Sequence, residues 1–177
     1  MSFGKVIGLV GRRKVGKTSL IKEKYCSNLK GREVHAYCRI KDDFSDVPNV
    51  TTYTNFAEFI RVVSRKKNIV IIIDEAFTCL PEKLTPKMND QNNLHNLLAD
   101  VLVNASKMNN FVFIIYHNFQ QIPTQWLIPY LNYLIAFATN DQFNYQLNRF
   151  RSFPEICEYL EGEPIEENFV KQTIKIN

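Results

Sequence analysis

The chain has 177 residues, 45% of them hydrophobic, and its 22 Lys and Arg against 18 Asp and Glu give a formal net charge of +4. That length carries one domain with a substantial core and leaves a second cramped, while so mild a positive excess excludes the dense basic character of a dedicated nucleic-acid coat. No apolar run reaches the roughly 18 to 20 residues that span a bilayer, and "MSFGKVIG" carries no signal-peptide pattern, so neither membrane insertion nor secretion is expected. Cys26, Cys38, Cys79 and Cys157 lack C-x-x-C spacing, and three lie in apolar surroundings. They read as buried free thiols in a reducing, cytoplasmic compartment rather than as zinc ligands or disulfides.

In chain order, "KVIGLV" (5–10) predicts a short apolar strand, and 17–29 a helix with Leu20, Ile21 and Tyr25 on one face. "EVHAYCRI" (33–40) is the second strand, followed by an irregular stretch containing Pro48. A helix near 55–66 repeats Phe56, Phe59, Ile60 and Val63 at helical spacing. "NIVIIID" (68–74) is the most β-branched run and lacks polar alternation, the pattern of a central parallel strand covered on both faces. A polar loop containing "KLTPK" and "MNDQNN" is longer than most connections and precedes a helix at about 92–108. "FVFIIY" (111–116) is a fourth strand, "TQWLIPYL" a short helix interrupted by Pro129, and "YLIAFA" (133–138) a fifth strand. From about 142 the chain reads as helical around "PEICEYL", with an edge strand in "FVKQTIKI". Alternating strands and helices imply right-handed crossovers and a three-layer α/β sandwich, with a core over about 5–140 and an extension over about 141–177 of the same domain.

"GRRKVGKT" satisfies G-x-x-x-x-G-K-[ST] between a strand and a helix, the context that pattern requires. The segment Gly11, Arg12, Arg13, Lys14, Val15, Gly16, Lys17, Thr18 and Ser19 is therefore a candidate ATP-phosphate loop. Its glycines let the backbone curl so that amide hydrogens point at phosphate oxygens, and the helix start adds field in the same direction. Lys17 would reach the β and γ phosphates, and the Thr18 hydroxyl would face Mg²⁺. The rival reading is a basic turn that matches by accident.

"IIIDEA" puts Asp74 at the carboxyl end of the central strand, where open α/β sheets bind ligands and an aspartate can hold Mg²⁺ through its water shell. Glu75 follows and could polarise a water for attack on the γ phosphate; otherwise it caps the strand end or pairs with a lysine. "YHNFQ" at the end of the fourth strand offers Asn118, whose amide can contact both attacking water and γ phosphate, with His117 as the neighbouring candidate. Strand alternation lets only one of the two face the nucleotide, and Asn118 is preferred.

Together these pieces resemble an additional-strand, catalytic-glutamate P-loop ATPase. The layout is similar to the FtsK/HerA-like superfamily, and within it to the compact genome-packaging ATPases of membrane-containing icosahedral viruses and phages. The resemblance covers roughly 5–140, through "IGLVGRRKVGKTSLIK", "VIIIDEAF" and "FVFIIYHNFQQIP" followed by "LNYLIAFATND". It implies a core strand order 5-1-4-3-2, a homo-oligomeric ring (pentamer or hexamer) that pulls double-stranded DNA, and a capsid or portal-vertex partner. Family members typically carry an arginine just ahead of the fourth strand that reaches a neighbouring subunit's γ phosphate. Here "NASKMNNFVF" offers Lys107, and the family's glutamine at the strand end is Asn118. Arg149 and Arg151 are the substitutes for Lys107, unless they form a solvated helix face.

For DNA itself, Lys83 and Lys87 could project into a ring pore and contact phosphates without sequence choice, whereas "SRKK" (64–67) reads as a solvated helix end. Two other functions share the loop and the size. A small-molecule or nucleoside kinase would need an arginine-bearing lid, for which only 142–153 has room, and the acid at Glu75 argues against it. A slow ATP-dependent assembly switch is the other.

Overall fold

The apolar runs of the sequence become the centre of a seven-stranded sheet. In this computed structural model, residues 3–29, 31–39, 44–87, 90, 92–139, 143–163, 165, 167 and 170–177 are described. Ile40, Met88, Asn89, Gln91, Asn140, Asp141 and Phe169, which belong to expected strands and motifs, lie outside them.

The strands are β1 (Lys5–Val10), β2 (Val34–Tyr37), β3 (Val50–Tyr53), β4 (Val70–Ile73), β5 (Phe111–Tyr116), β6 (Tyr133–Phe137) and β7 (Lys171–Lys175). They lie in the order β3-β2-β4-β5-β1-β6-β7. β1 to β6 are parallel, and β7 alone runs antiparallel, against β6. The five expected strands, β1, β2, β4, β5 and β6, take the order 5-1-4-3-2, and the sheet is extended by one strand at each edge. The stretch expected to be irregular around Pro48 contains the added β3. Its "VTTY" is short and only half-buried, as suits an edge, and its Val-Thr-Thr run is the β-branched signal that marks it.

The helices are α1 (Lys17–Leu20), α2 (Phe56–Val63), α3 (Leu94–Val103), α4 (Phe143–Phe150) and α5 (Pro154–Glu161). The helix expected over 17–29 changes winding: after α1, Ile21–Cys26 is a π turn. That turn keeps Ile21 fully buried and brings the Tyr25 ring centroid to 4.7 Å from that of Phe113. α2 starts where Asn55 accepts from the Glu58 amide at 3.1 Å, and α3 where Asn93 accepts from His95 N at 2.9 Å. α3 ends at Val103, short of the expected 108, in a turn that delivers the buried Asn110 side chain to Ile69 N at 3.1 Å. The expected "TQWLIPYL" helix is reduced to a 3₁₀ turn at Ile128–Tyr130.

Period-two alternation sends β4 residues to two cores. Ile71 and Ile73 meet Phe59, Ile60, Leu98 and Leu102 on one face; Val70 and Ile72 meet Ile21, Phe44 and Phe113 on the other. All four β4 residues are fully buried, each contributing about 1.5–3 kcal/mol by leaving water. Helices therefore cover both faces, as the unbroken apolar β4 run requires. The four cysteines are free, but only Cys38 is buried; Cys26, Cys79 and Cys157 are half-buried, which corrects the expectation of buried thiols.

Candidate nucleotide site

The segment between β1 and α1 curls back on itself. Gly11 donates its amide to Tyr116 O (3.2 Å) and Arg12 to Ala138 O (2.7 Å), stitching the loop to the ends of β5 and β6. A side chain at Gly11 would meet Phe137 Cβ at 2.6 Å, so only glycine allows this approach. Lys14 (φ 64°) and Gly16 (φ 98°) are left-handed, and Val15 is buried in the core below. Alternating handedness of this kind turns successive amides toward one concave side, an anion-binding nest.

Lys17 is 6% exposed, and its Nζ donates to Gly11 O (2.5 Å) and Arg12 O (2.8 Å). Burial pushes its pKa down to about 8; Asp74 pulls it up and Arg13 pushes it further down. Thr18 is half-buried and Ser19 exposed; Arg12 is half-buried, and Arg13 and Lys14 are exposed. Because β1, β5 and β4 are parallel neighbours, the loop after β1 and the acid pair after β4 share the carboxyl edge of the sheet.

Asp74 is 9% exposed, and its Oδ1 accepts from the Glu75 amide at 2.8 Å. Glu75 is held left-handed (φ 46°). Its Oε1 lies 3.1 Å from Arg13 Nη2 and 3.6 Å from His117 Nε2, while Oε2 is buried without a hydrogen-bond partner. The pairing considered from sequence was with a lysine; the partner is an arginine of the phosphate loop. Both ring nitrogens of His117 are buried and, apart from the Glu75 contact of Nε2, have no polar partner within hydrogen-bond distance; the Phe77 ring lies 5.6 Å away. Burial, then Lys17, pushes the His117 pKa down against the pull of Glu75, so the imidazole is neutral at pH 7.

Of the two candidates at the end of β5, His117 is the one beside Glu75, with Nε2 3.6 Å from Oε1. Asn118 Oδ1 accepts from Gln121 N at 3.1 Å and caps the 3₁₀ turn Phe119–Gln121, whose Gln121 Oε1 accepts from His117 N at 3.0 Å. The chain leaves the strand after Tyr116, so strand alternation does not extend to these positions. The N-x-x-Q spacing of Asn118 and Gln121 is a capping pattern visible in the sequence.

Lys107 is exposed in the turn ahead of β5, at the amino edge of the sheet. The six residues of β5 put it about 20 Å from the carboxyl edge of its own chain. Arg149 donates to Gln120 O (2.5 Å) and Ile122 O (3.2 Å), so it is not the solvated arginine considered from sequence; Arg151 is exposed.

A strand, a nested loop, a buried lysine at a helix start and an acid pair on the same sheet edge decide the architecture. The fold is that of a P-loop nucleoside triphosphatase. It is similar to the genome packaging NTPase B204 from Sulfolobus turreted icosahedral virus 2 in complex with AMPPCP, with a TM-score of 0.69 at 16% identity over 99% of each chain. B204, the DNA-packaging ATPase from Sulfolobus turreted icosahedral virus, gives 0.68 at 14% identity over 99% of this chain and 98% of the other. The pCW3 conjugation coupling protein TcpA with ATPγS gives 0.58 at 10% identity over 99% of this chain and 61% of the other. No protein-family model matches the sequence, and no curated protein is detectably similar to it.

Among the described residues no group of three or more His, Cys, Asp or Glu could hold a metal by itself. The donors present, a half-buried Thr18 hydroxyl and the Asp74 carboxylate beside the buried, unpartnered Glu75 Oε2, are all hard oxygens. They fit Mg²⁺, which takes most of its shell from water and nucleotide phosphates.

Proposed function

We propose that the chain is an ATPase that couples hydrolysis to movement of double-stranded DNA, packaging a viral genome into a preformed capsid as one domain of a homo-oligomeric ring. The observation that carries this is the meeting of Lys17, Asp74 and Glu75 at one sheet edge, with Arg13 linking the phosphate loop to Glu75. Likeness of fold to DNA-packaging NTPases supports the packaging role.

In this reading the loop from Gly11 to Ser19 cradles the phosphates, and Lys17 exchanges its two carbonyl partners for β and γ oxygens. Thr18 and Asp74 would hold Mg²⁺, which neutralises charge on the phosphates when bound. Glu75 accepts a proton from the attacking water, and His117 stands beside it to orient that water, with Asn118 holding the turn behind. Lys107 lies too far from its own site to act there and would instead serve a neighbouring subunit's γ phosphate in the ring. The ring docks at a capsid or portal-vertex protein from the cytoplasm; no described helix is long and apolar enough to cross a membrane.

Steady-state ATPase with and without duplex DNA tests the reading. Strong stimulation by DNA supports the motor, acceptor-dependent turnover a kinase, and neither an assembly switch. Glu75→Gln should keep ATP binding and lose about a hundredfold or more in turnover; unchanged turnover removes Glu75 from the chemistry.

A further inference from the structure

Beside the nucleotide edge lies an open groove of about 900 Å³, walled by the segment after β4, the turn after β5 and the α4–α5 corner. Among the described residues three cations line it, Lys83, Arg149 and Arg151, against the single carboxylate Glu82. Lys83 and Arg151 are exposed, on opposite walls. Tyr116 forms part of the lining, and its hydroxyl is buried with no hydrogen-bond partner.

We propose that this groove binds the sugar–phosphate backbone of one strand of a DNA duplex, Lys83 and Arg151 each contacting a phosphate. The proposal rests on the DNA-motor reading and says where on the chain the DNA sits. The groove is far too small for a whole duplex, yet one strand presents a charge every roughly 3.4 Å of axis, so a few nucleotides bring enough phosphates for both cations. The lining mixes its cations with apolar side chains such as Leu80, Ile122 and Phe153, and contacts from cations to phosphates position a backbone without reading sequence.

Arg149 does a different job in the same wall. Its guanidinium is turned onto Gln120 O and Ile122 O, fastening the turn whose Gln121 Oε1 holds His117 N. The groove wall and the group beside Glu75 are thus one hydrogen-bonded unit. DNA seated against the wall bears on the position of His117, which gives DNA-stimulated hydrolysis a structural route.

The test is fluorescence anisotropy of a labelled short DNA duplex at several salt concentrations. It compares the wild type, Lys83→Glu/Arg151→Glu, and the charge-matched control Lys171→Glu/Lys175→Glu on β7. All four side chains are exposed, so folding is retained, and circular dichroism verifies it. The groove variant should flatten the log–log salt slope by about 2, two phosphate contacts having gone, and weaken binding at least tenfold in moderate salt; the control should keep the wild-type slope. Wild-type binding with the groove variant unchanged, or with the control equally impaired, overturns the groove while leaving a DNA motor intact. No DNA binding by the wild type overturns both. Displacement by polyglutamate as effective, charge for charge, as by unlabelled duplex assigns the groove to an acidic protein and overturns the proposal.

Discussion

Arg13 Nη2 stands 3.1 Å from Glu75 Oε1, joining the phosphate loop after β1 to the acid pair after β4 across the end of β5. The Arg13 side chain is 73% exposed, so the pair contributes at most about 1 kcal/mol. In the proposed mechanism a γ phosphate, with its greater charge, would compete for the same guanidinium and so release Glu75. Arg13→Ala should therefore raise KM for ATP several-fold while leaving kcat within about tenfold. A kcat loss as deep as that of Glu75→Gln would show that Arg13 acts in the chemical step itself.

The left-handed backbone of Glu75 (φ 46°) costs about 1 kcal/mol in any residue with a Cβ and little in glycine. Glu75→Gly should be at least as stable as Glu75→Ala in urea denaturation, the relieved strain offsetting the roughly 0.4–1 kcal/mol that glycine's extra freedom in the unfolded chain costs. A glycine variant less stable than the alanine variant by about 0.4–1 kcal/mol, the difference expected at an unstrained position, would mean that the strain is not there.

Lys17, lowered to about 8 by burial, loses its proton in the empty site at a pH where free lysine keeps it. Bound phosphates favour the ammonium form, so nucleotide affinity should be flat below pH 7 and fall by up to tenfold per unit above pH 8, with proton uptake on binding. Calorimetry in two buffers of different ionisation heat measures that uptake; none at pH 8.5 refutes it. The same shift acts on folding. The unfolded lysine titrates near 10.5, so the burial cost is fully present below pH 8 and is relieved as pH rises from about 8 to 10.5, stabilising the empty protein across that window.

His117 and Asn118 can be separated by what each loss does. His117→Ala should lower kcat by tenfold or more with little change in melting temperature. Asn118→Ala, which removes the cap on Gln121 N, should cost about 1 kcal/mol of stability and less activity. The opposite pattern would restore Asn118 as the group that contacts the nucleotide.

The parts of this molecule written in short periodic patterns were legible from the residues. The curled loop between β1 and α1 and the fully buried β4 run needed only motif context and unbroken hydrophobicity, and the five-strand core order came with the resemblance to FtsK/HerA-like ATPases. What stayed hidden depends on where the chain leaves a regular element. Whether His117 or Asn118 faces Glu75 turns on the 3₁₀ turn that begins right after β5, and no period extends through such a turn. The Arg13–Glu75 and Arg149 contacts bridge 62 residues and 27 to 29 residues respectively, separations at which single-sequence patterns carry no signal. The π turn after α1 likewise follows a sequence that reads as ordinary helix.

Antiparallel β7 closes the flank of β6 and leaves Lys171, Gln172, Thr173 and Lys175 facing water, with only Ile174 tucked inward. A second copy approaching that flank would meet two lysines with two of its own, so accretion of chains into a continuous ladder is discouraged there. Any self-association is thereby steered away from backbone pairing at the β7 edge and toward contacts made by side chains on other surfaces.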